Sequence, residues 1–227
     1  MSDCVEVVGE FAPLLSVDLL NVRQHADARS EVSQGDREMK QAPALSDRDK
    51  ARVLQAVAKG SHAERNRTML MLSWLAGMRV GEIAALIVGD VLGANGEVRN
   101  EVQLAPEQTK GSEARSVLIN SQLRQELASY IRTLATPLNP KLPLIPSKTA
   151  KRFSANGLCQ RFIQLYALAG LDKATSHSGR RTFITNLANK GVNVRVLAAL
   201  AGHKHIGTTQ RYIELNDAVL KAAVEMA

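Results

Sequence analysis

The sequence predicts a mainly α-helical fold with one small antiparallel β-sheet, an α+β domain. Three observations predict it. Apolar residues recur at helical spacing in segment after segment, several of them closed by a glycine. A single stretch, Gly96 to Asn120, switches to short apolar runs around a turn. The 227 residues suffice for one well-buried core with a small appendage.

Residues 1–44 open on a modest apolar pattern from Val5 to Leu20, turn polar through Gln24 to Lys40 and end at Ala42-Pro43. They are expected to form a short N-terminal extension and linker, and residues 45–227 the main domain. Ser46 can cap a first helix, with Asp49 in the third position and Val53, Leu54 and Val57 on its apolar stripe. A second helix is expected from Ala63 to Ala76, burying Met69, Leu70, Leu72, Trp74 and Leu75 and stopped by Gly77. A third starts near Val80. Val98, Val102 and Leu104, then Val117 and Ile119, fit short strands about the turn Lys110-Gly111-Ser112. Helical spacing returns at Ser121 to Leu134, Ser154 to Ala169, Gly179 to Lys190 and Asn193 to Ala201, the last three followed by Gly170, Gly191 and Gly202. A proline-rich loop, Pro137 to Pro146, separates the two halves of the domain. Asn216 to Ala227 carries Val219, Leu220, Ala223 and Val224 at helical spacing, a terminal helix suited to packing on its own domain or on a neighbour.

Composition narrows the function classes. No apolar run reaches bilayer length, and the N-terminus lacks the basic-then-apolar order of a signal peptide, so a cytoplasmic protein is expected. Cys4 and Cys159 stand far apart without a second ligand pair, which suggests two reduced thiols and neither a disulfide framework nor a zinc site. The net charge of +7 is unevenly spread. Residues 1–44 hold 4 Lys and Arg against 8 Asp and Glu, whereas residues 45–227 hold 25 against 14. A compact domain with that excess attracts polyanions, nucleic acid among them.

The chemistry-bearing residues gather late in the chain. His177-Ser178-Gly179-Arg180-Arg181 opens a helical pattern, and Leu200-Ala201-Gly202-His203-Lys204 leads to Arg211 and Tyr212. Guanidiniums bind phosphate oxygens in bidentate fashion, imidazoles donate or relay protons, and a phenol can attack as a nucleophile. Arg79 lies at a helix junction with Glu82 three residues on, where it could meet an anion or form a surface pair worth a few tenths of a kcal/mol. Lys110 sits at a hairpin end, where a flexible ammonium can reach a cleft or serve solubility. Arg181 should diverge from Arg180 and face a DNA backbone or an acidic neighbour.

Taken in order, these motifs resemble those of the tyrosine recombinases, the phage-integrase family of site-specific DNA recombinases, from about Leu45 to about Leu215. Gly77-Met78-Arg79-Val80-Gly81-Glu82 resembles the first arginine box, Thr109-Lys110-Gly111 the hairpin lysine, His177-Ser178-Gly179-Arg180 the His-x-x-Arg box, and Leu200-Ala201-Gly202-His203 through Tyr212 the closing block. The resemblance implies the integrase catalytic-domain fold. It also implies attack of Tyr212 on a DNA phosphate, a 3′-phosphotyrosyl bond and a free 5′-hydroxyl. Arg79 and Arg180 would neutralise the phosphate, His177 assist at the nucleophile, His203 bond a phosphate oxygen, Lys110 protonate the leaving oxygen and Glu82 support the site. Arg181, Lys204 and Arg211 would touch DNA. No metal or cofactor is implied, and the partners would be double-stranded DNA, three further copies in a synaptic tetramer, and an accessory DNA-bending protein. A nucleoid-associated location would follow. A non-cleaving regulator and a supercoil-relaxing enzyme are the alternatives.

Two departures stand out. Gly179 occupies a place where the family usually has a leucine-like residue. Residues 1–44 are shorter and more acidic than the helical core-binding domain common in the family, as in small members such as fimbrial-promoter invertases.

Overall fold

The computed structural model describes residues 42–109, 113–134, 137–212 and 224–225. The expectations for residues 1–41, for Lys110 and its turn, and for a terminal helix from Asn216 lie outside the described residues, save Val224 and Glu225.

Helix α1 spans Asp47–Ala58 and begins as its sequence requires. Ser46 accepts from the Asp49 amide at 3.1 Å, and the Asp49 carboxylate accepts from the Ser46 amide at 3.1 Å, so two otherwise orphaned N–H groups are satisfied together. Val53 and Val57 face inward.

Helix α2, Ala63–Ala76, is the centre of the domain and packs against α1 and three helices that follow it. Its burial extends all round, to Arg65, Asn66, Thr68 and Ser73 as well as Met69, Leu70, Leu72 and Trp74. Each large apolar side chain buried there stabilises by about 1.5–3 kcal/mol. Leu75 is only partly buried. Trp74 Nε1 donates to the Tyr166 hydroxyl at 3.1 Å, satisfying two polar groups inside the core.

Two short helices follow, α3 at Val80–Ala85 and α4 at Val88–Val91. Strands β1, Glu101–Leu104, and β2, Arg115–Leu118, form an antiparallel pair in which Val102 faces Val117 and Leu104 faces Arg115. Val98 stands outside β1, in an isolated bridge with Leu92, and Ile119 lies just beyond β2. One 3₁₀ turn, Pro106–Gln108, follows β1.

Helix α5 covers Ser121–Ile131 and α6 covers Ala155–Leu168. The proline-rich loop between them does more than separate two halves. Leu144 N donates to Leu86 O at 2.9 Å and Val88 N to Leu142 O at 3.0 Å, and Leu144 and Ile145 are buried. The loop is stitched into the core because backbone partners left unpaired between α3 and α4 are found there.

Three further helices follow among the described residues, α7, Ser178–Asn189, α8, Val194–Ala201, and α9, Ile206–Gln210. α7 packs on α2, which sets the positions of everything that follows. The fit is close at Gly179: a methyl group there would lie 2.3 Å from Ser73 Oγ and 2.6 Å from Trp74 Cδ1. A leucine-like side chain has no room against α2.

Candidate active site

Three successive carbonyls at the end of α8 each accept from a different arginine. Leu200 O accepts from Arg115 Nη1 at 3.2 Å, Ala201 O from Arg180 Nη2, and Gly202 O from Arg79 Nη2 at 2.8 Å. The last carbonyls of a helix have no partner within it and carry its partial negative charge, so cations seat there readily. These three arrive from β2, from α7 and from the residue before α3, and they fix the segment that ends in His203.

Gly202 permits the convergence. Its φ of +61° ends α8 in the left-handed region, and a methyl group there would lie 2.8 Å from Arg115 Cδ and Nη1.

Glu82 is the counter-charge. Its side chain is 1 % exposed and accepts from Arg79 Nη1 at 2.8 Å, from the Arg79 amide at 2.7 Å, and from Arg115 Nε and Nη2 at 3.0 and 2.8 Å. The Arg79–Glu82 pair is therefore an interior one and not the weak surface pair that its spacing also allowed. Burial would raise the Glu82 carboxyl, but Arg115 first and Arg79 next outweigh it and hold the group below its ordinary range.

Arg180 is buried and also donates to Gly77 O at 2.7 Å. Burial, then the charges of Arg79 and Arg115, press its pKa well below the ordinary arginine range. Among the described residues, three guanidiniums of this cluster face one carboxylate. The surplus of positive charge favours an anion.

His203 follows at once. Its Nδ1 lies 2.8 Å from the Oγ1 of fully buried Thr209, and burial together with Arg180, Arg79 and Arg115 pushes its pKa down to about 4. The ring is thus neutral near pH 7. If Thr209 donates to Nδ1, the remaining proton sits on Nε2, a tautomer that can donate outward.

Tyr212 is half-buried and stacks on His203, ring centroids 5.9 Å apart and planes at 19°. Its amide donates to Thr209 O at 2.9 Å. The Arg181 guanidinium stands 5.5 Å from the Tyr212 ring centre, a cation–ring contact with the phenol. His177 is exposed at the head of α7 and lines a cavity of about 440 Å³ with Arg79, Glu82, Thr109 and Cys159. Lys110 lies outside the described residues, but Thr109 before it lines this cavity. Lys204 pairs with Glu113 at 2.6 Å, both well exposed, and Arg211 is exposed at the end of α9. Among the described residues no group of His, Cys, Asp and Glu could hold a metal ion.

Arg115 and Thr209 escaped the sequence reading. A signal for Arg115 existed: period two from Val117 and Ile119 puts it on the buried face of β2, and a buried guanidinium demands partners. Thr209 has no such signal, since a threonine in a short helix looks the same whichever side chain it meets.

Residues 44–218 match the model of the phage integrase family. The chain belongs to the phage integrase family. It is 31 % identical over 182 residues to the tyrosine recombinase XerD of Pseudomonas putida, covering 78 % of this chain and 59 % of that protein. It is 28 % identical over 163 residues to the tyrosine recombinase XerA of Pyrococcus furiosus, covering 72 % and 54 %. The chain therefore spans little more than half the length of these relatives. Among solved structures, the XerA recombinase superposes with a TM-score of 0.63 at 25 % identity over 82 % of this chain and 66 % of that one. The XerH recombinase bound to a palindromic difH substrate, a post-cleavage complex, gives 0.63 at 20 % identity over 86 % and 56 %. This family membership accounts for the mainly helical fold with its two-stranded sheet.

Proposed function

We propose that this chain is a site-specific DNA recombinase that cuts and rejoins double-stranded DNA through a 3′-phosphotyrosyl intermediate. The observation that carries this reading is the cluster of Arg79, Arg115 and Arg180 about Glu82, with His203 and Tyr212 directly beside it. Such a cluster is a preorganised socket for a phosphate, and a phenol lies next to it.

In this reading the Tyr212 oxygen attacks phosphorus, its proton leaves with assistance from His177, and the bond from phosphorus to the 5′-oxygen breaks. Arg79 and Arg180 hold the nonbridging oxygens, where charge builds in the transition state. His203 donates Nε2–H to one of them, with Thr209 fixing the tautomer. Lys110 gives its proton to the departing 5′-oxygen. Glu82 and Arg115 orient Arg79 without touching substrate. Arg181, Lys204 and Arg211 contact the DNA backbone, Lys204 exchanging Glu113 for phosphate. Rejoining to a different 5′-hydroxyl conserves the bond energy and needs no energy cofactor. Residues 45–227 form the catalytic domain, residues 1–44 an extension, and the active species is a tetramer on DNA assisted by an accessory DNA-bending protein and associated with the nucleoid.

The test is one gel. The protein is incubated with a nicked suicide substrate built from inverted repeats flanking its gene, and a covalent protein–DNA species that resists denaturant is sought. It should form with the natural chain and vanish with Tyr212→Phe, which keeps the ring stacked on His203. Duplex binding without any adduct would replace this reading with that of a non-cleaving regulator.

A further inference from the structure

A second group of cations lies away from the arginine cluster, on the other flank of the first turn of α6. Ala155 lines the cavity shared by Arg79 and His177, while Gly157, two residues on, lines a separate cavity of about 330 Å³. Arg65, Arg161, Lys148, Ser147 and Thr149 surround that space, and no Asp or Glu is among its described lining residues. Arg65 is 6 % exposed, and its guanidinium is held in place by Pro146 O at 2.8 Å, by Asn66 Oδ1 at 2.9 Å and by the Phe153 ring at 5.5 Å. Its Nε–H, like that of Arg161, is buried without a hydrogen-bond partner among the described residues. Two buried guanidinium N–H donors without partners, on residues that line a cavity with no carboxylate among its described lining residues, are costly, because each lacks a partner and the two like charges repel. That repulsion is visible in Arg65, whose pKa is lowered first by burial and then by Arg161.

We propose that this cavity is a second anion site, which takes one phosphate of the DNA backbone outside the cleavage centre. A phosphate oxygen would accept from Arg65 and Arg161, with the Ser147 and Thr149 hydroxyls and the Lys148 ammonium closing over it. The inference rests on the recombinase reading for the identity of its ligand. A backbone anchor beside the first turn of α6 fixes the register of the duplex, so that a different phosphate of the same molecule reaches Arg79 and Arg180.

The experiment measures duplex binding by fluorescence anisotropy across a range of salt concentrations, with the full chain carrying Tyr212→Phe so that no covalent product forms. Arg161→Gln should lower the slope of log affinity against log salt by about 1 and weaken binding to every duplex alike. Lys148→Gln, at an exposed position, should do the same in smaller measure, and Arg161→Lys should restore most of the slope. An unchanged slope and affinity in Arg161→Gln would overturn the proposal. So would Arg161-dependent thermal protection by inorganic phosphate without any change in DNA binding, since the cavity would then serve a small anion. The adduct gel with Tyr212 intact reports separately: adduct loss in the natural chain alongside a normal salt slope would count against the recombinase reading alone.

Discussion

Replacing Glu82 by glutamine removes one negative charge from the meeting point of two guanidiniums while keeping size and shape. The carboxylate now accepts four hydrogen bonds, two from Arg79 and two from Arg115. An amide keeps a single acceptor oxygen and turns N–H groups toward donors, so at least two bonds are lost. Breaking a buried ion pair from one side costs about 3–5 kcal/mol. Here Arg79 is 26 % exposed and Arg115 11 %, which lets water relieve part of the cost, so about 3 kcal/mol is expected. For a domain of this size that corresponds to a fall in Tm of about 6–12 °C. The assay is thermal and urea unfolding of both proteins from pH 8 to pH 3. Because the folded Glu82 carboxyl titrates below its ordinary value, its contribution is complete above the unfolded carboxyl pKa and is lost as pH falls through the folded one. The gap between the two proteins should therefore stay level from pH 8 to about pH 5 and then narrow. A gap under about 0.5 kcal/mol, or one that persists unchanged to pH 3, would refute the placement of Glu82 as the buried counter-charge. Cleavage should also slow, since Arg79 loses its anchor.

Four further outcomes follow from the same geometry. Arg115→Gln should reduce adduct formation by about tenfold although Arg115 is not proposed to touch DNA, because Glu82 and the Leu200 carbonyl lose a partner; a rate equal to that of the natural chain would remove its positioning role. Gly202→Ala should cost about 1 kcal/mol or more through the left-handed backbone alone, with cleavage falling further as Arg115 is displaced, read by urea unfolding and the adduct gel. Gly179→Leu, which restores the residue usual in the family, should destabilise by about 1–3 kcal/mol because α2 leaves no space, and equal or greater stability would contradict the α2–α7 packing. His203 should titrate near pH 4 by NMR: its depressed pKa means that stability is full above the unfolded value of about 6.5 and declines as pH drops toward 4, a slope that His203→Gln should abolish.

The local grammar of the chain was legible residue by residue. Ser46 with Asp49 announced the start of α1, Gly77, Gly170, Gly191 and Gly202 marked helix ends, and each conclusion needed only neighbours within one turn. The order and spacing of Arg79, Lys110, His177, Arg180, His203 and Tyr212 were likewise enough to place the chain in its family, which residues 44–218 bear out.

Other features depended on which distant segments come together. Arg79 to Glu82 at a spacing of three could be a weak surface pair or a buried one, and only the arrival of Arg115 from β2 made it interior. The spacing of Arg181 left its direction open, and the fold brings the Tyr212 ring within 5.5 Å of its guanidinium. The proline-rich loop became part of the core because Leu86 and Val88 needed backbone partners. The sequence by itself determined the longer helices and the two strands, since these follow from short-range sterics and hydrogen bonding. The tertiary structure alone decided which charges cluster together and which carbonyls hold each guanidinium, because electrostatic strength depends on burial and separation, and neither is local in the chain.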